Sequence, residues 1–172
     1  MRLLTFALFM MLISVACRRN STPVVTSGPS IDIFLLDSFQ YNVDETTVPA
    51  TVLVADANIG DRPYISNDEI IGYERETNTF LVRSRAAERL TQLNPGGFVV
   101  TVERVPVYFG FIRPPYLSSI IFGSPTISAM QPDPNRIAID FATVDDAPHL
   151  RTLDKRNEPT LLAALAKSGR LR

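Results

Sequence analysis

The 172-residue chain contains one cysteine, Cys17, and one histidine, His149. A single cysteine cannot form a disulfide within the chain, and one histidine with one cysteine leaves too few ligands for a zinc site. A nucleophile–base pair would have to use His149, and no Gly-x-Ser-x-Gly motif accompanies it. The sequence therefore predicts a protein that is not an enzyme and that uses no metal and no cofactor.

An excess of charge of one sign is also missing. The chain has 17 basic and 18 acidic side chains, and without residues 1–16, which contain Arg2 and no acid, 16 basic and 18 acidic side chains remain. Without a broad basic field, nucleic acid is excluded as the expected partner. Apolar residues at 45% and charged residues at 20% are typical of one ordinary globular domain.

The first residues have the pattern of an export signal. Arg2 precedes an uncharged run, residues 3–16, that only Thr5 and Ser14 interrupt. This run is shorter than the about 20 apolar residues that a permanent membrane helix needs. Arg18 and Arg19 follow it directly and would have to cross the membrane in the usual orientation. Residues 1–16 are therefore predicted to be a cleaved signal peptide, the alternative being an uncleaved signal anchor.

The segment Ile13-Ser14-Val15-Ala16-Cys17 resembles the lipobox of bacterial lipoproteins, in which the cysteine receives a diacylglyceryl group. Ser14 departs from that pattern, because an aliphatic residue usually stands there. The resemblance implies that Cys17 is the lipidated first residue, carrying fatty chains such as palmitate; the alternative is an unmodified thiol. It also implies a cell-envelope protein anchored to a membrane and facing the periplasm or the exterior, with inner and outer membrane both open.

Composition and periodicity divide the remainder of the chain. Residues 17–30 are predicted to be a flexible tether, residues 31–149 an α+β globular domain and residues 150–172 a C-terminal helical tail. Helices are predicted from Ser66 to Gly72, after Ser84 and over residues 160–167, the last packing on its own domain, on a partner or on the membrane. Strands are predicted over residues 31–36, 51–55, 79–82, 98–102, 107–112, 117–122, 126–127 and 135–141, and residues 37–62 are otherwise predicted to be rich in loops. The expected fold is a mainly antiparallel sheet with its helices packed on one face.

The segment FLVRSRAAERLTQLNPGGFVVTVERVPVYFGFI and the apolar strand after it, from Thr79 to Ile127, resemble the periplasmic head region of SecD, the protein-export membrane protein. In both, a strand leads into an AAERL-like helix, then a glycine, then a hairpin whose second strand approaches a proline. The chain lacks the multiple membrane spans of that family, so the resemblance implies a fold and not an export activity. The ISNDEI segment with this helix also resembles uncharacterised bacterial lipoproteins that share such a domain.

Aromatic residues crowd the second strand of the predicted hairpin and the segment after it. Strand alternation turns about half of them towards the core, and the others are candidates for a docking surface. Tyr108, Phe111, Arg113 and Tyr116 are the predicted partner-binding residues, the alternative being that helices or the tail cover these rings. The acidic residues are interpreted as helix-capping, turn or solvated groups, namely Asp32, Asp68, Glu69, Asp145 and Asp146.

The sequence thus favours a membrane-anchored accessory module that binds an envelope protein. Two other classes stay open: an envelope hydrolase acting on peptide, glycan or lipid, and a structural spacer.

Overall fold

A computed structural model describes residues 27–172 apart from Ser84, Pro115 and Ser118. The predicted signal peptide, Cys17 and the tether as far as residue 26 lie outside the described residues, and so does Ser84, the predicted helix cap. These predictions are therefore not tested by the structure.

The described residues form one sheet of eight strands with three short helices. Its strand order is β2-β1-β5-β6-β7-β8-β4-β3, and every neighbouring pair is antiparallel except β6 and β7. The prediction of a mainly antiparallel sheet is confirmed; that all the helices pack on one face stays a prediction. The strands are β1 (Ile31–Asp44), β2 (Thr51–Ile59), β3 (Ile70–Glu74), β4 (Thr79–Val82), β5 (Gly96–Val102), β6 (Val105–Arg113), β7 (Thr126–Ser128) and β8 (Arg136–Asp140), and the helices are a 3-10 helix (Ala86–Gln92), α1 (Pro148–Leu153) and α2 (Pro159–Lys167).

The sheet curls until its two edges approach each other. Ile65 exchanges two backbone hydrogen bonds with Ile33 of β1, at N–O distances of 2.9 and 3.0 Å. Only five residues later Ile70 begins β3, at the opposite edge of the sheet. Five residues span at most about 18 Å, so the edges lie close together. Leu171 forms a parallel bridge with Tyr73 and extends the sheet beyond β3.

The main core lies on one face of the sheet. Alternate residues of β1 and β5, such as Ile31, Ile33 and Phe98, point into it because successive side chains of a strand face opposite sides. Leu161 and Leu165 of α2 are fully buried in the same cluster. The C-terminal helix thus packs on its own sheet, as one of the predicted alternatives had it.

Several predicted elements are confirmed. The hairpin of β5 and β6, the strands β4, β7 and β8, and helix α2 occur where the sequence indicates them. Glu103 and Arg104 form the two-residue turn of the hairpin, with φ of 51° and 63°. Positive φ at both positions is typical of the type I′ turn, whose twist matches that of paired strands.

Other predictions are wrong. Ser66 and Glu69 hydrogen-bond to each other as in a helix cap, yet Ile70–Glu74 is a strand because β4 pairs with it. The predicted helix after Ser84 is a 3-10 helix. Among the described residues of the predicted strand over residues 117–122, only Phe122 makes a bridge, to Ala142. The segment predicted to be loop-rich is a long hairpin. The predicted domain bounds stay a prediction.

Candidate functional site

The structure does not bring the four predicted partner-binding residues onto one surface. Tyr108 and Phe111 lie on opposite faces of β6, and both are buried, at 4% and 7% exposed. Tyr108 packs against Phe98 in the main core, with ring centroids 6.4 Å apart. Arg113 is half-buried at the end of β6, and Tyr116 is 70% exposed beyond it. Their role in partner binding stays a prediction.

Phe111 contacts a surface that was not predicted from the sequence. Its ring contacts Phe39 and Tyr41 edge to face, with centroids 5.7 and 6.3 Å apart. Tyr41 pairs with Val54 of β2, and Val43 pairs with Val52. Directly paired residues share a face, so five side chains form one row on the hairpin, named here the apolar stripe: Phe39, Tyr41, Val43, Val52 and Val54.

The apolar stripe is exposed at Tyr41 and Val43, in the part of β1 that has left β5. β1 pairs with β5 only over Ile31 to Leu35, and from Leu36 onwards it pairs with β2 alone. Tyr41 is 57% and Val43 47% exposed. Exposed rings and branched side chains that are contiguous, rather than scattered, are typical of a docking surface.

The hairpin that carries the stripe also carries acidic residues. Residues 37–61, named here the distal hairpin, contain five acidic and no basic side chains. All five are exposed, and in the described part of the chain none forms a salt bridge with lysine or arginine. Asp44 and Asp56 belong to residue pairs that alternate with those of the stripe, so their side chains face the other side of the hairpin. The distal hairpin is therefore apolar on one face and negatively charged on the other face and at its ends. The five are Asp37, Asp44, Glu45, Asp56 and Asp61.

Asp44 holds the turn of the distal hairpin. It accepts hydrogen bonds from the backbone N–H and the hydroxyl of Thr46. These bonds, the hydroxyl first, hold the pKa of Asp44 below its usual value, and attraction by His149 contributes in the same direction. The charge at the turn is therefore retained at neutral pH.

The free edge of β2 borders the stripe. Val52 donates its backbone N–H to the carbonyl of Phe122 at 2.9 Å, and its own carbonyl accepts from the Ser124 hydroxyl at 2.6 Å. Beyond Val52, as far as Ile59, the strands of the described residues give β2 no partner other than β1. An edge strand of this kind presents backbone donors and acceptors to any strand placed beside it.

A second cluster of polar groups lies inside the molecule. The Tyr73 hydroxyl donates to the Arg156 carbonyl at 2.9 Å, and the Arg156 guanidinium binds both Asp154 oxygens and the Ile139 carbonyl. Burial raises the pKa of Tyr73, and burial likewise raises that of Tyr108, whose hydroxyl has no partner among the described residues. The cluster joins β3 and β8 to the segment before α2.

The other titratable residues singled out in the sequence lie outside the distal hairpin. Within the described ranges, no three His, Cys, Asp or Glu side chains lie close enough to hold a metal ion. His149 is half-buried, and its Nε2 has no partner among the described residues. Asp145 and Asp146 are exposed, and the Asp32 carboxylate accepts the backbone N–H of Asn67. Over the same ranges, no helix has the length and hydropathy to cross a membrane.

Asp154 makes the stability of the domain dependent on pH. Burial would raise the pKa of Asp154, but hydrogen bonds from Arg156 outweigh it and hold the pKa below its usual value. A lowered folded-state pKa gives stability that is present above the unfolded-state pKa, about 3.9, and is lost as pH falls through the folded-state value. We expect Asp154→Asn to cost about 1–2 kcal/mol at pH 7 and much less near pH 3, in urea unfolding followed by circular dichroism.

Glu88→Gln is the matched control for this pair, since Glu88 forms an exposed ion pair with Arg85. Its effect should be small at both pH values. A cost of Asp154→Asn that stays the same from pH 7 to pH 3 would contradict the assignment.

Comparison with known proteins adds no relative. No protein-family model, curated protein or solved structure matches the chain. The class of protein that the fold defines is thus an eight-stranded, mostly antiparallel sheet with a few short helices, and its function has to be argued from the distal hairpin and the sequence.

Proposed function

We propose that the chain is a membrane-anchored lipoprotein of the bacterial cell envelope and acts as a non-catalytic binding or accessory module. The observation that carries the binding role is the apolar stripe, which is exposed at Tyr41 and Val43 beyond the residues where β1 pairs with β5. The lipobox-like sequence before Cys17 supports the anchor. Several acyl chains give stable anchoring where one is marginal, because each buried CH₂ contributes about 0.8 kcal/mol.

The charge of the distal hairpin supports an orientation away from the membrane. Five acidic side chains without a basic one are repelled by anionic lipid headgroups. Residues 17–30 would serve as the tether between Cys17 and β1. The proposed module therefore faces the periplasm or the exterior and meets a protein partner there.

The proposal also includes the likeness to SecD and the placement of the helices on the sheet. The likeness of residues 79–127 to the periplasmic head of SecD concerns the fold alone. We also propose that the 3-10 helix and α2 cover one face of the sheet, because the buried residues of both belong to the main core cluster. Ala147, before α1, and Leu150 within it are buried outside that cluster.

The alternative of an envelope hydrolase lacks comparable support. Asp37 and Asp61 line one shallow groove beside Gly60, together with Arg62 and Tyr64. Both carboxylates are exposed, whereas a catalytic carboxylate pair depends on different environments that separate the two pKa values. A non-catalytic role accounts better for an open surface of this kind.

Metabolic acyl labelling of the full-length protein and of Cys17→Ser tests the anchor. We expect the native chain to carry the label, to lack residues 1–16 and to sediment with membranes, and the variant to be unlabelled and released from them.

The binding role is tested by affinity capture from envelope extracts with the native chain. Recovery of unacylated protein from the cytosol with Met1 intact would overturn the proposal.

A further inference from the structure

We propose that the distal hairpin binds a basic, partly apolar polypeptide segment in extended conformation, which adds a strand to the free edge of β2. This inference rests on the proposed binding function and names its partner class. Three properties of the distal hairpin lead to it: the apolar stripe, the open backbone edge and the one-sided charge.

The backbone geometry favours an added strand. The N–H of Val52 points away from β1, since it donates to Phe122. Inward- and outward-pointing groups alternate along a paired strand, so the N–H of Val54 also points to the open side. Val54 belongs to the apolar stripe and lies on the unoccupied part of the edge, so alternate side chains of a strand added there would continue the stripe on the same face.

The charge distribution identifies the partner as basic. Outside residues 37–61, residues 27–172 contain 14 basic and 13 acidic side chains, so the excess of acids is confined to the distal hairpin. Lysine or arginine on a partner strand would meet Asp56 within β2 and Asp37, Asp44 and Glu45 around it. Such complementarity steers encounter and suppresses partners of the wrong charge.

The same charges argue against other occupants. A second copy that paired β2 with β2 in antiparallel fashion would bring two acidic hairpins together, with the two Asp56 side chains near the centre of the pair. Like charges in directly opposite positions destabilise a sheet. An anionic lipid surface is disfavoured for the same reason.

The test uses the acylated full chain in a neutral detergent and fluorescent peptides of alternating residues, (Lys-Val)4 and (Glu-Val)4. We expect saturable binding of the lysine peptide by anisotropy, at least tenfold weaker binding of the glutamate peptide, and loss of affinity when salt rises to about 0.5 M. Equal binding of the two peptides would overturn the basic partner class, and so would tight binding to anionic vesicles in their place.

Matched variants locate the binding surface. Tyr41→Ser with Val43→Ser removes exposed apolar side chains of the stripe, and Val105→Ser with Met130→Ser removes equally exposed ones elsewhere. We expect at least a tenfold loss of affinity for the first pair and less than a twofold change for the second. Equal losses would overturn the assignment of the surface.

A variant of β2 tests whether the partner adds a strand, and a cross-linking experiment tests the binding function separately from the partner class. Val54→Pro removes an outward N–H without removing a hydrogen bond to β1, and we expect it to weaken binding at least fivefold while the circular dichroism spectrum is unchanged. Unchanged affinity would overturn the strand-addition geometry. If neither peptide binds but a photo-cross-linker at Tyr41 captures an envelope protein, the basic partner class is wrong and the proposed binding function stands. If neither peptide binds and the cross-linker captures no protein, both the partner class and the binding function are wrong.

Discussion

Replacement of Arg170 by alanine is expected to lower the free energy of unfolding by about 2–3 kcal/mol, a large part of the stability of an ordinary domain. Arg170 is only 3% exposed. Its Nη1 donates to the side-chain oxygen of Asn67 at 2.8 Å and lies 3.2 and 3.4 Å from the carbonyls of Asn67 and Ile70. Nη2 donates to the Pro29 carbonyl at 3.1 Å, and Nε donates to Ser168 at 2.8 Å. Alanine would remove a charged donor from these acceptors, which are buried or partly buried.

The position of Arg170 explains why the effect should extend through the domain. It joins the start of β1, the turn before β3 and the chain after α2, where the two edges of the sheet approach each other. Burial lowers the pKa of Arg170, and the charges of Asp32 and Asp68 oppose that shift. Burial raises the pKa of Asp32, although the N–H of Asn67 donates to its carboxylate. One charged network thus holds three segments that are distant in sequence.

Two further variants separate charge from geometry at this site. Arg170→Lys keeps the charge but replaces a planar fork of donors by one ammonium group, so an intermediate loss of stability is expected. Arg151→Ala, at an exposed residue of α1, should change stability by no more than about 0.5 kcal/mol. The measurement is urea unfolding of all three variants, and Arg170→Ala within about 1 kcal/mol of the native chain would contradict the role given to the network.

Gly110→Ala is expected to destabilise the domain by about 3 kcal/mol, at the upper end of the usual range for overpacked cores. A Cβ at this position would lie 2.4 Å from the carbonyl oxygen of Pro125 and 2.5 Å from the Phe98 ring. Neither neighbour can move freely. Phe98 is fully buried, and the Pro125 carbonyl accepts the N–H of Phe111 at 2.9 Å. The glycine therefore permits the close approach of β6 to the segment that begins β7.

Gly96→Ala is the control within the same hairpin. A Cβ at Gly96 would meet no atom closer than 3.7 Å, an ordinary contact. Its effect should be neutral or a gain of up to about 1 kcal/mol, because alanine restricts the unfolded chain. Thermal and urea unfolding of both variants measure the difference. Similar stabilities for the two would show that β6 and β7 adjust to the added methyl group.

The parts of the fold that local pattern determines were predicted, and those that depend on distant pairing were not. The hairpin of β5 and β6 has apolar strands and a tight turn in one continuous segment, so its own sequence is enough to predict how the two strands pair. Ser66 and Glu69 also behave as a helix cap does, but Ile70 and Ile71 are β-branched and β4 is available to pair with them. The capping pattern cannot reveal that pairing, because it is a tertiary interaction.

The candidate site was missed for a related reason. Phe39, Tyr41 and Val43 alternate with polar residues, which is the period of a strand. Exposed polar residues between them favoured the interpretation as loop. For Tyr108 and Phe111, alternation predicts that they face opposite sides, but not that both sides are covered: Phe98 packs against one ring, and Phe39 with Tyr41 against the other.

The length of β1 has a mechanical consequence. The strand has 14 residues; it begins next to the proposed tether and ends at the turn of the distal hairpin. At a rise of about 3.3 Å per residue its two ends are up to about 45 Å apart. A pull between the anchor and a captured partner would therefore run lengthwise along one strand. Because the partner would be held by β2, the pull would load the eight residue pairs between β1 and β2 in shear, all together, instead of opening them one after another.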